Sequence, residues 1–486
     1  MPPTPPARPN PGEPPVRDRG DACPGALRLH AADDGRLARL RLPAGLLTTH
    51  QVLVLASVAE ELGDGRVSVT SRGNVELRGL GEACGAALAE RLSGAGLLPS
   101  ETHERVRNIV ASPAAGLDGL GHGDVQLWAR ELDALLCARP WTAALSGRFL
   151  FALDDGRGDV AGLGGDVTLI AEGPSVRVRV GGQDVRVGAA DAPRAALAAA
   201  GAFLAAARTA GNGAWRVREL PEGHAPDLPG ALAGAGITAV MAVPAIPALP
   251  TVPVLPAVMA VPAVPAVPAV MAVPAVPAEP ATAAEPESGG TGAHPKPATA
   301  AEPAPGTVTE PLPAMDPPPA GPPAPGPLGD QALHVLAPLG RLTADQLRAL
   351  AASGGEVRLT PWRGAVVTGL ADPGAVAARL RELDAHGLVT DPRSPWAGVG
   401  ACTGRPGCAK SLADVRADAT PGSGHGPGGL PVYFSGCERR CGHPHGAWVD
   451  VLATGDGAYL VDGVPTPRTA LPDAVAAARV PTATTR

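Results

Sequence analysis

Residues 45–80, GLLTTHQVLVLASVAEELGDGRVSVTSRGNVELRGL, return in altered form at residues 340–370, GRLTADQLRALAASGGEVRLTPWRGAVVTGL. Gly45, Leu47, Thr48 and Gln51 find counterparts in Gly340, Leu342, Thr343 and Gln346. The interval from Thr70 to Gly79 equals that from Thr360 to Gly369, with Arg72 and Arg363 one position out of frame. Val67 and Val69, then Val75 and Leu77, alternate with polar residues and predict two strands joined by a turn. A helix-like segment follows each copy, and an apolar strand precedes each, ALRLHAADDGRLARLRLP in the first and LHVLAPLG in the second. Each copy therefore reads as a small α+β unit with helices over one face of an antiparallel sheet, and duplication predicts a pseudo-two-fold pair.

Behind each copy lies a second segment. The first runs from RVRNIVASPAAG through LSGRFLFALDDGRGDV to the helix-like APRAALAAAGAFLAAART. The second holds four cysteines and the strand pair WVDVLATGDGAYLVDG. The expected organisation is a polar tail (1–20), first repeat (21–100), first following domain (101–236), linker (237–328), second repeat (329–395), cysteine domain (396–470) and a tail (471–486).

The linker is set by composition. Fifty-seven prolines are too many for an ordinary fold, and they concentrate after Ile237 in AVMAVPAIPALPTVPVLPAVMAVPAVPAVP. The stretch is long and uncharged enough to span a bilayer, but a proline at roughly every third position removes donors and clashes with the preceding turn, so an extended disordered Pro/Ala linker is predicted. A net charge of −7 and 2% aromatic residues exclude the usual footprint of a nucleic-acid binder. The N-terminal MPPTPPARPNPGEPPVRD has no apolar core of a signal peptide, and a cytoplasmic protein is expected.

Cys402 and Cys408 in ACTGRPGCAKS and Cys437 and Cys441 in FSGCERRCGHP form a C-x5-C…C-x3-C quartet. Thiolates are the usual ligands of iron–sulfur clusters, and the intervening glycines let the backbone wrap a compact core. Structural zinc takes tighter knuckles, and disulfides need an oxidising compartment. Cys23, Cys84 and Cys137 stand singly and read as reduced residues in or near the core.

TSRGNVELRGL (70–80), RNIVASP (107–113), the quartet and the repeated LTxxQ together resemble the siroheme-type nitrite and sulfite reductase superfamily. The resemblance covers most of the chain outside tail and linker. It implies ferredoxin-like half-domains for the repeats, siroheme-reductase-type α/β domains behind them, and a [4Fe-4S] cluster on the four cysteines, with Cys441 at the position that bridges to siroheme. It also implies that Arg72, Arg107 and Arg148, helped by Asn108, face the carboxylates of a tetrapyrrole, a task that suits the guanidinium fork. One departure is informative. The superfamily grips its anion with a Lys-Phe-Lys element, and here the corresponding residues are Arg148, Phe149 and Leu150. An apolar side chain at the second position removes a charge and a proton donor that six-electron reduction would use.

The branch lacking that pair and carrying LxxxFxFALDDG (145–156) and LTPWRG (359–364) resembles precorrin-3B synthase of aerobic cobalamin biosynthesis. That resemblance implies hydroxylation of precorrin-3A at C20 with γ-lactone formation, O2 as oxygen source, and an external electron donor, either a ferredoxin or an NAD(P)H-dependent reductase. A mononuclear non-haem iron is also implied, for which His443, His445, Asp450, Asp414 and Asp418 are candidate ligands by residue type. Siroheme-dependent nitrite or sulfite reduction is the alternative. No G-x-G-x-x-G after a strand marks a nucleotide site.

Overall fold

The computed structural model describes residues 25–241, 321–421, 429–444 and 446–480. The repeat is realised as two five-stranded sheets. The first runs His30–Ala32, Gly35–Leu40, Val75–Leu80, Arg66–Val69 and finally Arg341–Thr343. The second runs Gly326–Leu328, Ala332–Leu336, Gly364–Val367, Val357–Leu359 and finally Leu46–Leu47. The last strand of each sheet comes from the other half of the chain: Leu342 pairs with Val67, and Leu47 with Val357. This reciprocal exchange produces one continuous core, in which Leu47, Leu55, Val67, Leu342, Leu347 and Val357 are all buried.

The LTxxQ repeat has a local physical cause. Thr48 caps helix Thr49–Leu62 and Thr343 caps helix Ala344–Ala351, each closing a capping box with the glutamine three residues on. The box ends the exchanged strand and starts the helix in one stroke.

The two remaining sheets also correspond. Ile109–Ala111, Phe151–Asp154 and Val167–Glu172 run parallel, then Ser175–Val180, Gln183–Gly188 and Val240–Met241 continue antiparallel. Val399–Ala401, Val432–Ser435 and Val449–Gly455 run parallel, then Ala458–Val461 and Val464–Pro467 continue antiparallel. The fold is α+β and duplicated at both levels. In the first half the opening parallel connection holds helix Val125–Cys137; in the second the same connection carries Cys402 and Cys408.

Two expected boundaries move. Ile237 is buried and Val240–Met241 pairs with Val185 and Arg186, while Gly326–Leu328 pairs with Ala332–His334, so both ends of the 237–328 linker are sheet-bound. Pro327 is tolerated because its strand lies on the sheet edge. The 471–486 tail begins with helix Leu471–Arg479, held by buried Leu471 and Val475 and by Arg479, which donates to the carbonyls of Leu430, Pro395, Pro421 and Ala397. Residues 242–320 of the linker, residues 1–20, Cys23 and His445 lie outside the described residues. Cys84 and Cys137 are free and partly buried. Among the described residues no helix is long and apolar enough to cross a membrane.

Candidate functional site

Cys402 follows its strand directly. Its N–H donates to Phe434 O and its sulfur accepts from Gly436 N at 3.2 Å. The sister position in the first half is Ser112, whose N–H donates to Leu153 O and whose hydroxyl accepts from Asp155 N at 3.1 Å. One scaffold thus presents a thiol in one half and a hydroxyl in the other. The loop carrying Cys408 is strapped to the first sheet: Asp33 accepts from Ala409 N, and Arg78, paired with Asp34 and Glu76, donates to Gly407 O at 2.5 Å.

The four cysteines gather. Burial pushes the Cys441 thiol above its ordinary range, and Cys437, Cys402 and Cys408 add to the shift. Yet no three of their sulfurs lie within 4.8 Å of one another. A tetrahedral zinc would draw four thiolates to within about 4 Å, given Zn–S bonds of about 2.3 Å. A cubane keeps its cysteine sulfurs farther apart because the iron–sulfide core stands between them, and four thiols are by chemistry the donor set such a cluster takes.

Beside Cys441 stands Tyr433, 1% exposed, whose hydroxyl donates to Cys441 O at 2.7 Å. Arg363 lies 5.0 Å over the Tyr433 ring, contacts its hydroxyl at 3.2 Å and donates to Gly442 O. Together Arg363 and Tyr433 form a wall between two spaces. On one side is a recess of about 100 Å³ lined by Cys402, Cys441, Thr70 and Arg416. On the other is a cavity of about 360 Å³, lined mainly by apolar groups including Trp362, Trp396 and Pro361, with Ser71 and His443 at its edge. Arg416 is pushed down to about 10 by burial, with Arg341 and Arg363 adding repulsion. It also lines a cleft of about 570 Å³ together with Arg66, Arg78, Arg341 and Arg405. Asp34, Asp64 and Asp414 line it too, so arginines outnumber carboxylates there in a chain that is acidic as a whole.

The arginines singled out by motif are placed unevenly. Arg72 sits in the turn beside Ser71, with its N–H on the Thr70 hydroxyl. Arg107 is 5% exposed and turns to helix Val125–Cys137, where it forms a two-pronged ion pair with Asp133 at 2.6 and 2.7 Å. Asn108 is fully buried and engaged at both ends of its amide, accepting from Asn74 at 2.9 Å and donating to Phe149 O at 3.0 Å. Arg148 is exposed and stacks 4.9 Å over Trp215. Leu150 is 2% exposed in an apolar cluster with Val110, Ala152 and Val160, against which Trp362 packs.

The candidate iron ligands are held by other partners. His443 stacks on Trp448, Asp450 pairs with Arg440, Asp414 accepts from the N–H groups of Arg416 and Ala417, and Asp418 accepts from Tyr459 and Arg468. The described residues instead gather Asp154, Asp155 and Asp159. Asp154 accepts four backbone N–H groups, from Gly156, Gly158, Val160 and Ala161, and Asp155 pairs with Arg157. These carboxylates shape the loop after FALDD. Tyr433 and Arg416 escaped the sequence reading, and Arg363, marked there only as one position out of frame with Arg72, was given no place in the site although its shift along the turn is what carries it to the cysteine domain.

Residues 30–94 match the nitrite/sulfite reductase ferredoxin-like half domain. A precorrin-3B synthase from Sinorhizobium sp is 33% identical over 138 residues, 28% of this chain and 29% of that protein. A ferredoxin–nitrite reductase from Leptolyngbya laminosa is 40% identical over 84 residues, 17% of this chain and 16% of that protein. The structure of the Mycobacterium tuberculosis NirA protein aligns with a TM-score of 0.58 at 17% identity, covering 88% of this chain and 74% of that one. The sequence matches thus span less than a third of either curated relative, and the NirA likeness establishes a shared fold.

Proposed function

We propose that this chain, built on the fold of nitrite and sulfite reductases, is an oxidoreductase of the precorrin-3B synthase type. It hydroxylates precorrin-3A at C20 with γ-lactone closure, using O2 and electrons from a ferredoxin or an NAD(P)H-dependent reductase. Leu150 carries the reading. The position where an anion-reducing relative needs a second lysine is occupied by a side chain packed against Val110, Ala152, Val160 and Trp362. Burying a lysine there would require a partner the cluster does not offer.

Cys402, Cys408, Cys437 and Cys441 would hold a [4Fe-4S] cluster, which when bound supplies single-electron transfer. The chain's own residues do the rest. The indole and proline surfaces of Trp362, Trp396 and Pro361 suit the flat apolar body of a macrocycle, and a few convergent polar groups at the rim fix its orientation. Arg72, in the turn next to the cavity-lining Ser71, would meet acetate and propionate arms. Arg107 and Asn108 act behind it, holding the RNIVASP strand in place.

Anaerobic purification with iron and acid-labile sulfide determination should return both elements, with a broad brown absorbance and no intense Soret band. Turnover of precorrin-3A under isotopically labelled O2 should place one labelled oxygen in the product. A Soret band with nitrite or sulfite consumption would instead establish the siroheme reductase reading, which the likeness to ferredoxin–nitrite reductase keeps in view.

A further inference from the structure

The two repeat turns share one backbone and put different residues at its left-handed position. In the first, Thr70 N donates to Asn74 O and Gly73 N to Thr70 O, with Gly73 at φ +68°. In the second, Thr360 N donates to Gly364 O and Arg363 N to Thr360 O, with Arg363 at φ +63°. The left-handed position that glycine fills in one copy is filled by arginine in the other. A side chain there costs about 1 kcal/mol or more, and such strain persists where the surroundings hold it for a purpose.

The surroundings do hold it. A Cβ on Gly340 would lie 2.5 Å from Arg363 Cδ, one on Gly400 2.8 Å from Nη1, and one on Gly442 2.9 Å from Nη2. Three glycines from three segments therefore form a slot for this one side chain. Its neighbour Trp362 packs onto the Leu150 cluster. The partners of Arg363 are neutral, the Tyr433 hydroxyl and ring and the Gly442 carbonyl, and among the described residues no carboxylate pairs with it. A surface tie would not require a strained backbone, a glycine slot and an uncompensated charge at once.

We propose that Arg363 is a positioning residue for the Cys441 segment: it reaches from the second repeat into the cysteine domain, fixes the Cys441 and Gly442 carbonyls through Tyr433 and its own guanidinium, and keeps a positive charge beside them. The inference rests on the cluster reading of the quartet. A fixed cation near the thiolates favours the reduced, more negative state of a bound cluster.

The test compares Arg363→Gly, Arg363→Lys and Tyr433→Phe with the whole wild-type chain by iron and sulfide content, cluster EPR and midpoint potential. Arg363→Gly relieves the backbone strain, so a role confined to the turn predicts an unchanged or slightly raised melting temperature and an unchanged cluster. The proposal predicts a lowered midpoint potential, equivalent to a tenfold shift in the oxidised-to-reduced ratio or about 59 mV for one electron, with the lysine variant close to wild type. Loss of iron from Arg363→Gly at an unchanged apo-protein melting temperature also supports it. Wild-type potential and EPR in Arg363→Gly overturn it. If that variant misfolds, Tyr433→Phe decides, an altered EPR signal supporting the clamp and an unaltered one removing it. Absence of iron and sulfide from the wild-type protein would sink the cluster reading itself, a result distinct from any of these.

Discussion

Arg107 is committed to Asp133, and that pairing decides what its removal does. Arg107→Ala would leave the Asp133 carboxylate at a mostly buried site without its cation, a change worth about 2 to 3 kcal/mol, toward the low end because the Asp133 side chain keeps 19% of its exposure. The urea midpoint should fall accordingly in protein without substrate; an unchanged midpoint would return Arg107 to the cavity. Asp159 makes the opposite kind of prediction. Its carboxyl is pushed up to about 7, by burial first and by Asp154 and Asp155, while Ser112 alone holds one oxygen and the other has no partner. The folded chain therefore keeps a proton that the unfolded chain releases near pH 4. Stability is fully present below about pH 4 and declines as pH rises to about 7. Asp159→Asn should abolish that slope and be the more stable protein at pH 8, by on the order of 1 to 3 kcal/mol, whereas at pH 4 the two should unfold at similar urea concentrations. Neither property is legible in sequence. RNIVASP marks Arg107 as worth attention, but where its guanidinium goes depends on Asp133, 26 residues away on a helix whose docking no local pattern encodes.

At the scale of elements, the exchanged strand Leu46–Leu47 depends on the backbone just before it. Gly45 has φ +68°, and a Cβ there would stand 2.0 Å from Leu359 O, at the seam where the two halves join. Gly65 has φ +75° with nothing near its Cβ. Gly65→Ala should therefore show only the left-handed penalty, about 1 kcal/mol, and Gly45→Ala substantially more, because the seam must also open. Thermal melts of the two variants check this, and equal losses would mean that the seam yields freely. The alternation of Val67, Val69, Val75 and Leu77 made the repeat strands readable, and the duplicated LTxxQ marked where both helices begin. The exchange itself was hidden, since strands of two and three residues carry no period and their partners lie some 300 residues away. Likewise the 471–486 segment reads as a tail by composition, yet it contains a helix because Arg479 finds four carbonyls that only the folded cysteine domain assembles.

For the molecule as a whole, the same exchange makes the halves thermodynamically inseparable. Each ferredoxin-like sheet lacks its last strand without the other half, and the shared core would be cut through Leu47 and Leu342, two of its fully buried residues. Ion pairs across the seam, Arg341 with Asp64, Arg348 with Glu60 and Arg130 with Glu356, are surface pairs of small worth and would not by themselves hold the halves together. The apolar seam would. A protease site inserted near residue 290, cleaved in the folded protein, should consequently leave two fragments that co-elute and unfold in one cooperative transition. The cysteine loop should report the same unity, because its straps, Asp33 to Ala409 and Arg78 to Gly407, come from the first half. On the proposed cluster reading, nicked protein retains iron until the fragments are separated in denaturant. Fragments that part on a sizing column at micromolar concentration, or a first-half fragment that melts cooperatively alone, would show the exchanged strands to be dispensable.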